Sequence, residues 1–154
     1  MDESVRAVTL AGRLLVADDD EPMREATARV LRGAGYEVRT AIDGEEALTI
    51  ALETRPDVVV ADVNMPGIDG RELCRRIKAD PALRGTLVMM YSAARTSSHD
   101  QADGLDAGAD GYVAQPVSNR EVVARVRSMM RIKRAEDERD RLIGELQDAL
   151  AKVK

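Results

Sequence analysis

A short apolar segment in the first half of the chain restricts the fold more than any other feature. Residues 58–61 read Val-Val-Val-Ala and stand between Asp57 and Asp62. The segment is too short for an independent helix, and its β-branched valines favour a strand that is covered on both faces. The Met-Pro-Gly sequence at 65–67 then predicts a sharp turn. Because open α/β sheets bind ligands outside the carboxyl ends of their strands, Asp62 is the first candidate for a functional residue.

Short apolar segments alternate with amphipathic ones along the rest of the chain. Beside the segment that ends at Asp62, apolar segments predict strands at 13–17, 36–40, 87–91 and 109–114. The amphipathic segments predict helices at 22–32, 45–54, 71–79 and 98–107, and a last helix that begins after Ser118. Five strands that alternate with five helices predict an α/β fold, in which a doubly wound parallel sheet is covered on both faces. We expect the strand order 2-1-3-4-5, because the second strand is the most polar and therefore suits an edge.

Polar residues follow the first, third and fourth predicted strands, whose carboxyl ends meet in one crevice of such a sheet. They are Asp18, Asp19 and Asp20, then Asp62 and Asn64, and then Ser92. At an effective dielectric constant near 20, two carboxylates about 4 Å apart repel each other by roughly 4 kcal/mol. Mg²⁺ relieves such repulsion and takes carboxylate, carbonyl, water and phosphate oxygens as ligands. The crevice therefore suits phosphoryl transfer onto a carboxylate, with Asp62 as the nucleophile at its centre.

Several motifs together resemble the receiver domains of bacterial two-component response regulators, over about residues 12–132. The acidic pair Asp18-Asp19 follows the first strand, and Asp62 begins the pattern D-x-N-M-P-G-x-D-G. The pair Ser92-Ala93 and the pattern G-A-D-G-Y-x-x-x-P at 108–116 complete the set. The combination is highly specific, whereas each motif alone is weak. The resemblance implies a flavodoxin-like fold and a partner histidine kinase that phosphorylates Asp62.

The resemblance also implies a role for each residue of the crevice. Asp19, Asp62 and the backbone carbonyl of Asn64 are expected to coordinate Mg²⁺, and Asp18 is expected to contribute through a water molecule. Ser92 is expected to hydrogen-bond a phosphoryl oxygen. Because a receiver only assists its own phosphorylation and dephosphorylation, the resemblance implies no turnover of an independent substrate.

One position departs from the family pattern. Receivers normally carry a lysine just before the last proline of the pattern, and this chain carries Gln115. The resemblance makes Tyr112 the aromatic residue that moves inward on phosphorylation, while the lysine pairs with the phosphoryl group. Glutamine keeps a hydrogen-bond donor but loses the charge, at a cost of about 1–3 kcal/mol. We therefore expect phosphorylation of Asp62 with an altered switch. The alternative is a degenerate receiver that acts as a phosphorylation-independent docking or dimerisation module.

The acidic residues after the first strand also admit an enzyme interpretation. The pattern Asp18-x-Asp20 is similar to the D-x-D motif of haloacid-dehalogenase-type phosphatases, in which the first aspartate is the nucleophile. Those enzymes usually place Thr or Val two residues after the second aspartate, where this chain has Pro22. Asp62 would have no role in such a site, so we prefer the receiver interpretation.

A helical extension follows the predicted sheet. The chain divides into a flexible lead-in at 1–11, a receiver domain at 12–131 and an extension at 132–154. Side chains of the extension recur at alternating spacings of three and four, namely Ile132, Ala135, Arg139, Leu142, Leu146, Ala149 and Val153. This heptad pattern, poor at Arg139, predicts a short parallel coiled coil and a homodimer; a solvated charged helix is the alternative. The chain is then either a single-domain regulator with a dimerising tail or part of a longer protein with an output domain.

Composition excludes several other classes of partner. Lysine and arginine number 23 against 28 acidic residues, a net charge of −5, which argues against a nucleic-acid-binding face. The apolar runs are too short to span a membrane, and the N-terminus lacks the pattern of a signal peptide. The single cysteine, Cys74, permits no internal disulfide. We therefore expect a cytoplasmic protein with neither a membrane nor a nucleic acid as its partner.

Overall fold

The computed structural model describes residues 11–92, 102, 105–114 and 118–153. These residues form a five-stranded sheet whose strands are β1 (Arg13–Ala17), β2 (Glu37–Ala41), β3 (Val58–Asp62), β4 (Leu87–Ser92) and β5 (Gly111–Ala114). All neighbouring strands pair in parallel, and their order is β2-β1-β3-β4-β5. The predicted fold class and strand order are therefore confirmed, with β2 at an edge of the sheet.

The α-helices of the described residues begin at side-chain caps. They are α1 (Glu21–Gly33), α2 (Gly44–Thr54), α3 (Gly70–Ala79) and α4 (Asn119–Ala151), with a 3-10 turn at Pro81–Leu83. Asp20, Asp43, Asp69 and Ser118 each accept the backbone N–H three residues further along. The predicted helix at 98–107 falls largely outside the described residues, as do residues 1–10 of the predicted lead-in and Gln115.

Helices cover both faces of the sheet, and the alternation of each strand decides which side chains meet which helices. The face toward α2 and α3 carries Leu15, Ala17, Val59, Ala61, Val88 and Met90. The face toward α1 and α4 carries Leu14, Val16, Val58, Val60, Met89 and Tyr91. Asp18 and Asp62 continue the alternation of this second set. The two carboxylates therefore follow the strands on the same side of the sheet as the Tyr91 ring.

Backbone hydrogen bonds fix the turn that follows β3. The N–H of Val63 donates to the carbonyl of Tyr91 at 2.9 Å, and the N–H of Gly70 donates to the carbonyl of Val63 at 2.9 Å. Gly67 has a φ of +73°, in the left-handed region that favours glycine. A Cβ added at Gly70 would lie 2.4 Å from the carbonyl oxygen of Asp62, so only glycine permits this approach. The turn predicted from Met-Pro-Gly is thereby held directly beside Asp62.

Helix α4 extends well beyond the sheet. Its 33 residues span about 50 Å at 1.5 Å per residue. Val126, Met129 and Met130 are buried against the sheet. The guanidinium of Arg134 then donates to the carbonyl of Ala11 at 2.6 Å, which ties the start of the extension to the residue before β1. Across the ranges that the structure describes, α4 included, no helix combines the length and apolar character needed to span a membrane.

Candidate functional site

Three carboxylates converge at the carboxyl edge of the sheet. Asp18 and Asp19 follow β1, and Asp62 is the last residue of β3. One oxygen from each lies within 4.8 Å of the others. Asp18 is 1% exposed and Asp62 is 7% exposed, whereas Asp19 is open to solvent. The structure therefore brings together the acidic residues that the sequence selected, in a crevice with one open side.

Asp18 is held in place from two directions. Its Oδ1 accepts the backbone N–H of Asp20 at 2.9 Å, and its Oδ2 accepts the hydroxyl of Tyr91 on β4. The guanidinium of Arg24 donates to the Asp18 carbonyl oxygen at 3.1 Å. Burial is the main cause that raises the pKa of the Tyr91 hydroxyl, and the hydrogen bond to the Asp18 carboxylate is the second. The hydroxyl therefore keeps its proton and acts as the donor.

Asp62 lies at the bottom of the crevice with a perturbed acidity. The pKa of its carboxyl is raised from 3.8 to about 7, chiefly by burial and in part by the nearby Asp18 and Asp19 carboxylates. The N–H of Asn64, which donates to Oδ1, opposes this shift. The hydrogen bond from Asn64 measures 3.1 Å. A negative charge on Asp62 is therefore unfavourable in this crevice without a compensating cation.

Two other predicted site residues, Ser92 and Tyr112, lie on β4 and β5, on the same side of β3. Tyr91 is the register partner of Asp62, so Ser92 follows immediately beyond it at the end of β4. Ser92 is 2% exposed and pairs with Ala114 of β5. Tyr112, on β5, is half-buried and packs against the apolar layer that faces α2 and α3. The hydroxyl residue thus stands at the same edge of the sheet as the carboxylates.

The donor set of this crevice fits a hard divalent cation. Carboxylate oxygens that approach within 4.8 Å are the ligands that Mg²⁺ prefers, and the raised pKa of Asp62 shows that positive charge would be favourable here. Receiver domains bind Mg²⁺ at an acidic pocket of this kind. Asp19 offers an exposed ligand, while Asp18 and Asp62 offer buried ones.

Sequence reasoning missed two residues that contact Asp18. Tyr91 lies in the apolar segment at 87–91 and Arg24 in the amphipathic segment at 22–32, and neither pattern indicates a contact with Asp18. The sequence signal for Tyr91 was its place directly before Ser92 at the end of the strand, whereas its position beside Asp62 depends on the strand register. Arg24 carried no comparable signal, since its contact depends on the orientation of α1 over the end of β1.

The sequence is similar to a large family of signalling proteins. The family model of the response regulator receiver domain matches residues 14–127. The chain is 42% identical over 130 residues to the DNA-binding response regulator MtrA of Mycolicibacterium smegmatis, covering 84% of this chain and 54% of that protein. It is 44% identical over 128 residues to the response regulator MprA of Mycobacterium tuberculosis, covering 81% and 53% of the two proteins. The chain thus spans about half the length of the curated relatives it matches.

Solved structures show the same fold. The chemotaxis response regulator CheY4 of Vibrio cholerae is 32% identical, with a TM-score of 0.71, and the match covers 76% of this chain and 97% of that one. The receiver domain of the Francisella response regulator 1452 is 31% identical, with a TM-score of 0.71, and the match covers 78% and 97%. The family match, the strand order and the acidic crevice agree, and the chain therefore belongs to the response regulator receiver domain family.

Proposed function

We propose that this chain is a phosphoacceptor that takes a phosphoryl group onto Asp62 in the presence of Mg²⁺. The observation that carries the proposal is the convergence of Asp18, Asp19 and Asp62, whose oxygens lie within 4.8 Å of one another. When bound, Mg²⁺ supplies positive charge that neutralises the oxygens of the transferring group. The similarity to response regulators supports the same role.

Each residue of the crevice has a separate role in the proposed reaction. Asp19, Asp62 and the carbonyl of Asn64 would hold the cation, with Asp18 acting through a water molecule. A carboxylate oxygen of Asp62 attacks the phosphorus atom, and the bond between phosphorus and the donor breaks. Its electron pair leaves with the donor. The hydroxyl of Ser92, at the end of the next strand, donates to a phosphoryl oxygen. The chain assists this reaction and the later hydrolysis, in which a water molecule attacks phosphorus, inorganic phosphate leaves and the Asp62 carboxylate is regenerated. It does so without turning over an independent substrate.

The proposed donor is a sensor histidine kinase. The relatives that support this are named response regulators, and the chain spans about half of their length. In the proposed relay, phosphorylation of Asp62 changes the packing at Ser92 and Tyr112, and α4 transmits the change to an output region. Gln115 provides a neutral donor where the family has a cation, so the proposed switch is an altered one.

The extension is proposed to dimerise the protein as a parallel coiled coil. The large apolar side chains beyond residue 140 are all 47–81% exposed: Leu142, Ile143, Leu146, Leu150 and Val153. Ile143 and Leu150, which the predicted heptad seam did not include, lie beside it and widen the apolar stripe. Exposed apolar area of this extent at helical spacing favours a second copy of the helix as its cover. Arg141 forms ion pairs with Glu138 and Glu145 and lies outside the stripe, on the polar side of the helix.

The phosphoacceptor role predicts a single adduct at Asp62. Incubation with Mg²⁺ and acetyl phosphate should add one phosphoryl group to the wild type, measured as a mass increase of the intact protein. Asp62→Asn should show no adduct, because the amide removes the attacking carboxylate oxygen. Asp43→Asn is the matched control, since an asparagine also caps α2 and the position lies outside the acidic cluster. If the wild type takes no adduct from any donor, the chain is instead a docking or dimerisation module.

The altered switch predicts that Gln115→Lys strengthens the conformational response to phosphorylation. A lysine adds a charge-assisted contact to the phosphoryl group, worth roughly 1–2 kcal/mol more than a neutral one, or about tenfold in an equilibrium constant. Phosphorylation should therefore protect the amides of residues 111–114 from hydrogen exchange more strongly in Gln115→Lys than in the wild type. Gln147→Lys makes the same change on the extension and should behave as the wild type. Equal protection in Gln115→Lys and the wild type would contradict the altered switch.

The raised pKa of Asp62 predicts that the metal-free protein loses stability as the pH rises. The folded-state pKa of about 7 exceeds the ordinary value of 3.8, so the folded chain binds this proton more tightly than the unfolded chain. The resulting stabilisation is complete below about pH 4 and is lost as the pH rises to about 7. At about 1.4 kcal/mol per pKa unit the upper bound is ~4 kcal/mol, and water and salt in the open crevice reduce the expected loss to about 1–3 kcal/mol.

Urea unfolding with a chelator, from about pH 5 to pH 8, measures this loss as a change in the free energy of unfolding. Asp62→Asn should lack this part of the pH dependence, and Asp43→Asn should retain it. Adding Mg²⁺ at the high end of the range should stabilise the wild type and leave Asp62→Asn unchanged. The same pH slope in Asp62→Asn and the wild type would refute the assigned origin of the effect.

The proposed coiled coil predicts a dimer that depends on the apolar stripe. Sedimentation should show a dimer for the full chain and a monomer for a version that ends at Arg131. Leu146→Glu should also be monomeric, because it places a charge in the middle of the stripe. Gln147→Glu introduces the same charge one residue further along, outside the stripe, and should remain dimeric. Identical monomers for the full and shortened chains would rule out the coiled coil.

A further inference from the structure

Tyr91 carries a hydroxyl that the fold does not require. Its ring is 3% exposed and belongs to the apolar layer of Val60, Met89 and Val113. An aliphatic side chain, such as that of the neighbouring Met89, fills the same layer without a polar atom. The hydroxyl donates to Oδ2 of Asp18, whose side chain is also buried. The feature that needs an explanation is therefore the contact between these two side chains.

The contact completes the fixation of the Asp18 carboxylate. The loop after β1 holds one oxygen through the N–H of Asp20, at 2.9 Å, and Tyr91 holds the other from β4. Tyr91 is 73 residues from Asp18 in the sequence, whereas Asp20 is only two residues away, so the two donors restrain the carboxylate from different parts of the chain. Without Tyr91, the loop holds only one oxygen of this carboxylate. With both contacts, its orientation toward Asp19 and Asp62 is determined.

We propose that Tyr91 is a positioning residue of the acidic crevice, whose hydroxyl holds Asp18 in the orientation that a bound divalent cation requires. The inference rests on the proposed function, because it assigns a supporting contact within the same site. Repulsion among carboxylates that lie within 4.8 Å of one another pushes Asp18 away from the cluster. The hydrogen bond from a rigid, buried ring opposes that displacement. Partners of this kind change metal affinity by about 10–100-fold when they are removed.

The test compares two tyrosine variants by titration of the intact protein with Mg²⁺ alone. Tyr91→Phe keeps the ring and removes only the hydroxyl. Tyr36→Phe makes the same chemical change in the same apolar cluster, but at the amino edge of the sheet. We expect the dissociation constant for Mg²⁺, measured by calorimetry, to rise about tenfold in Tyr91→Phe and to stay at the wild-type value in Tyr36→Phe.

Two further readouts separate positioning from a purely structural role. The chain has 3 tyrosines and no tryptophan, so its near-ultraviolet absorption reports on the tyrosines. Mg²⁺ should shift this absorption in the wild type and in Tyr36→Phe, and the shift should be reduced in Tyr91→Phe. The rate of phosphorylation by acetyl phosphate should fall in Tyr91→Phe at limiting Mg²⁺ and return to the wild-type rate at saturating Mg²⁺.

The outcomes distinguish this inference from the function on which it rests. Wild-type affinity for Mg²⁺ in Tyr91→Phe, with an unchanged absorption shift, overturns the role of Tyr91 and leaves the phosphoacceptor function intact. A wild type that binds no Mg²⁺ overturns both. If Tyr91→Phe fails to fold, the tyrosine absorption of the wild-type protein still tests the role of Tyr91. An absorption of the tyrosines that does not respond to Mg²⁺, in a wild type that binds the ion, contradicts the proposed contact between Tyr91 and the cation site.

Discussion

Repulsion between carboxylates is the constraint around which the carboxyl edge of this sheet is built. Two such charges about 4 Å apart cost roughly 4 kcal/mol at an effective dielectric constant of 20, a large part of the stability of a small domain. The chain tolerates the cost because protonation of Asp62, with a pKa of about 7, removes one charge near neutral pH. The hydrogen bonds that Tyr91 and Asp20 donate to the Asp18 carboxylate stabilise a second charge. The crevice is therefore stable without a cation and strongly favours one.

The scaffold holds the repelling groups in place through its apolar layers. The side chains of β1 and β3 are almost entirely buried, and their parallel register brings Ala17 beside Ala61 immediately before the two acidic ends. The turn at 63–70 returns the chain so closely that Gly70 meets the carbonyl of Asp62. Moving the main chain of Asp18 or Asp62 away would require moving a close-packed strand, so only rotation of the side chains is left to separate the carboxylates. Close packing thus converts an unfavourable electrostatic arrangement into a fixed site.

The parts of the fold that depend on local pattern could be predicted from the sequence, and those that depend on tertiary contacts could not. Strong apolar periodicity placed the strands β1 to β4 and the helices α1 to α3, because the burial pattern of each element is set by residues close in sequence. β5 begins at Gly111 rather than at 109, since the Asp110 carboxylate instead accepts the N–H of Val88. The acidic cluster followed from strand ends alone. Its contact with Tyr91 did not, because the two partners are joined only by the register across β1, β3 and β4.

The position of Tyr91 also bears on how the site and the long helix can influence each other. Tyr91 lies in the same buried cluster as Val126 and Met130 of α4. That cluster is close-packed, so a shift of α4 along the sheet requires side chains in the layer of Tyr91 to repack. The Asp18 carboxylate is bonded to the hydroxyl at the other end of this ring. A physical connection between the acidic crevice and the helix therefore passes through the apolar layer, independently of Gln115. In the proposed altered switch, this layer therefore offers a second route of coupling between the site and the helix.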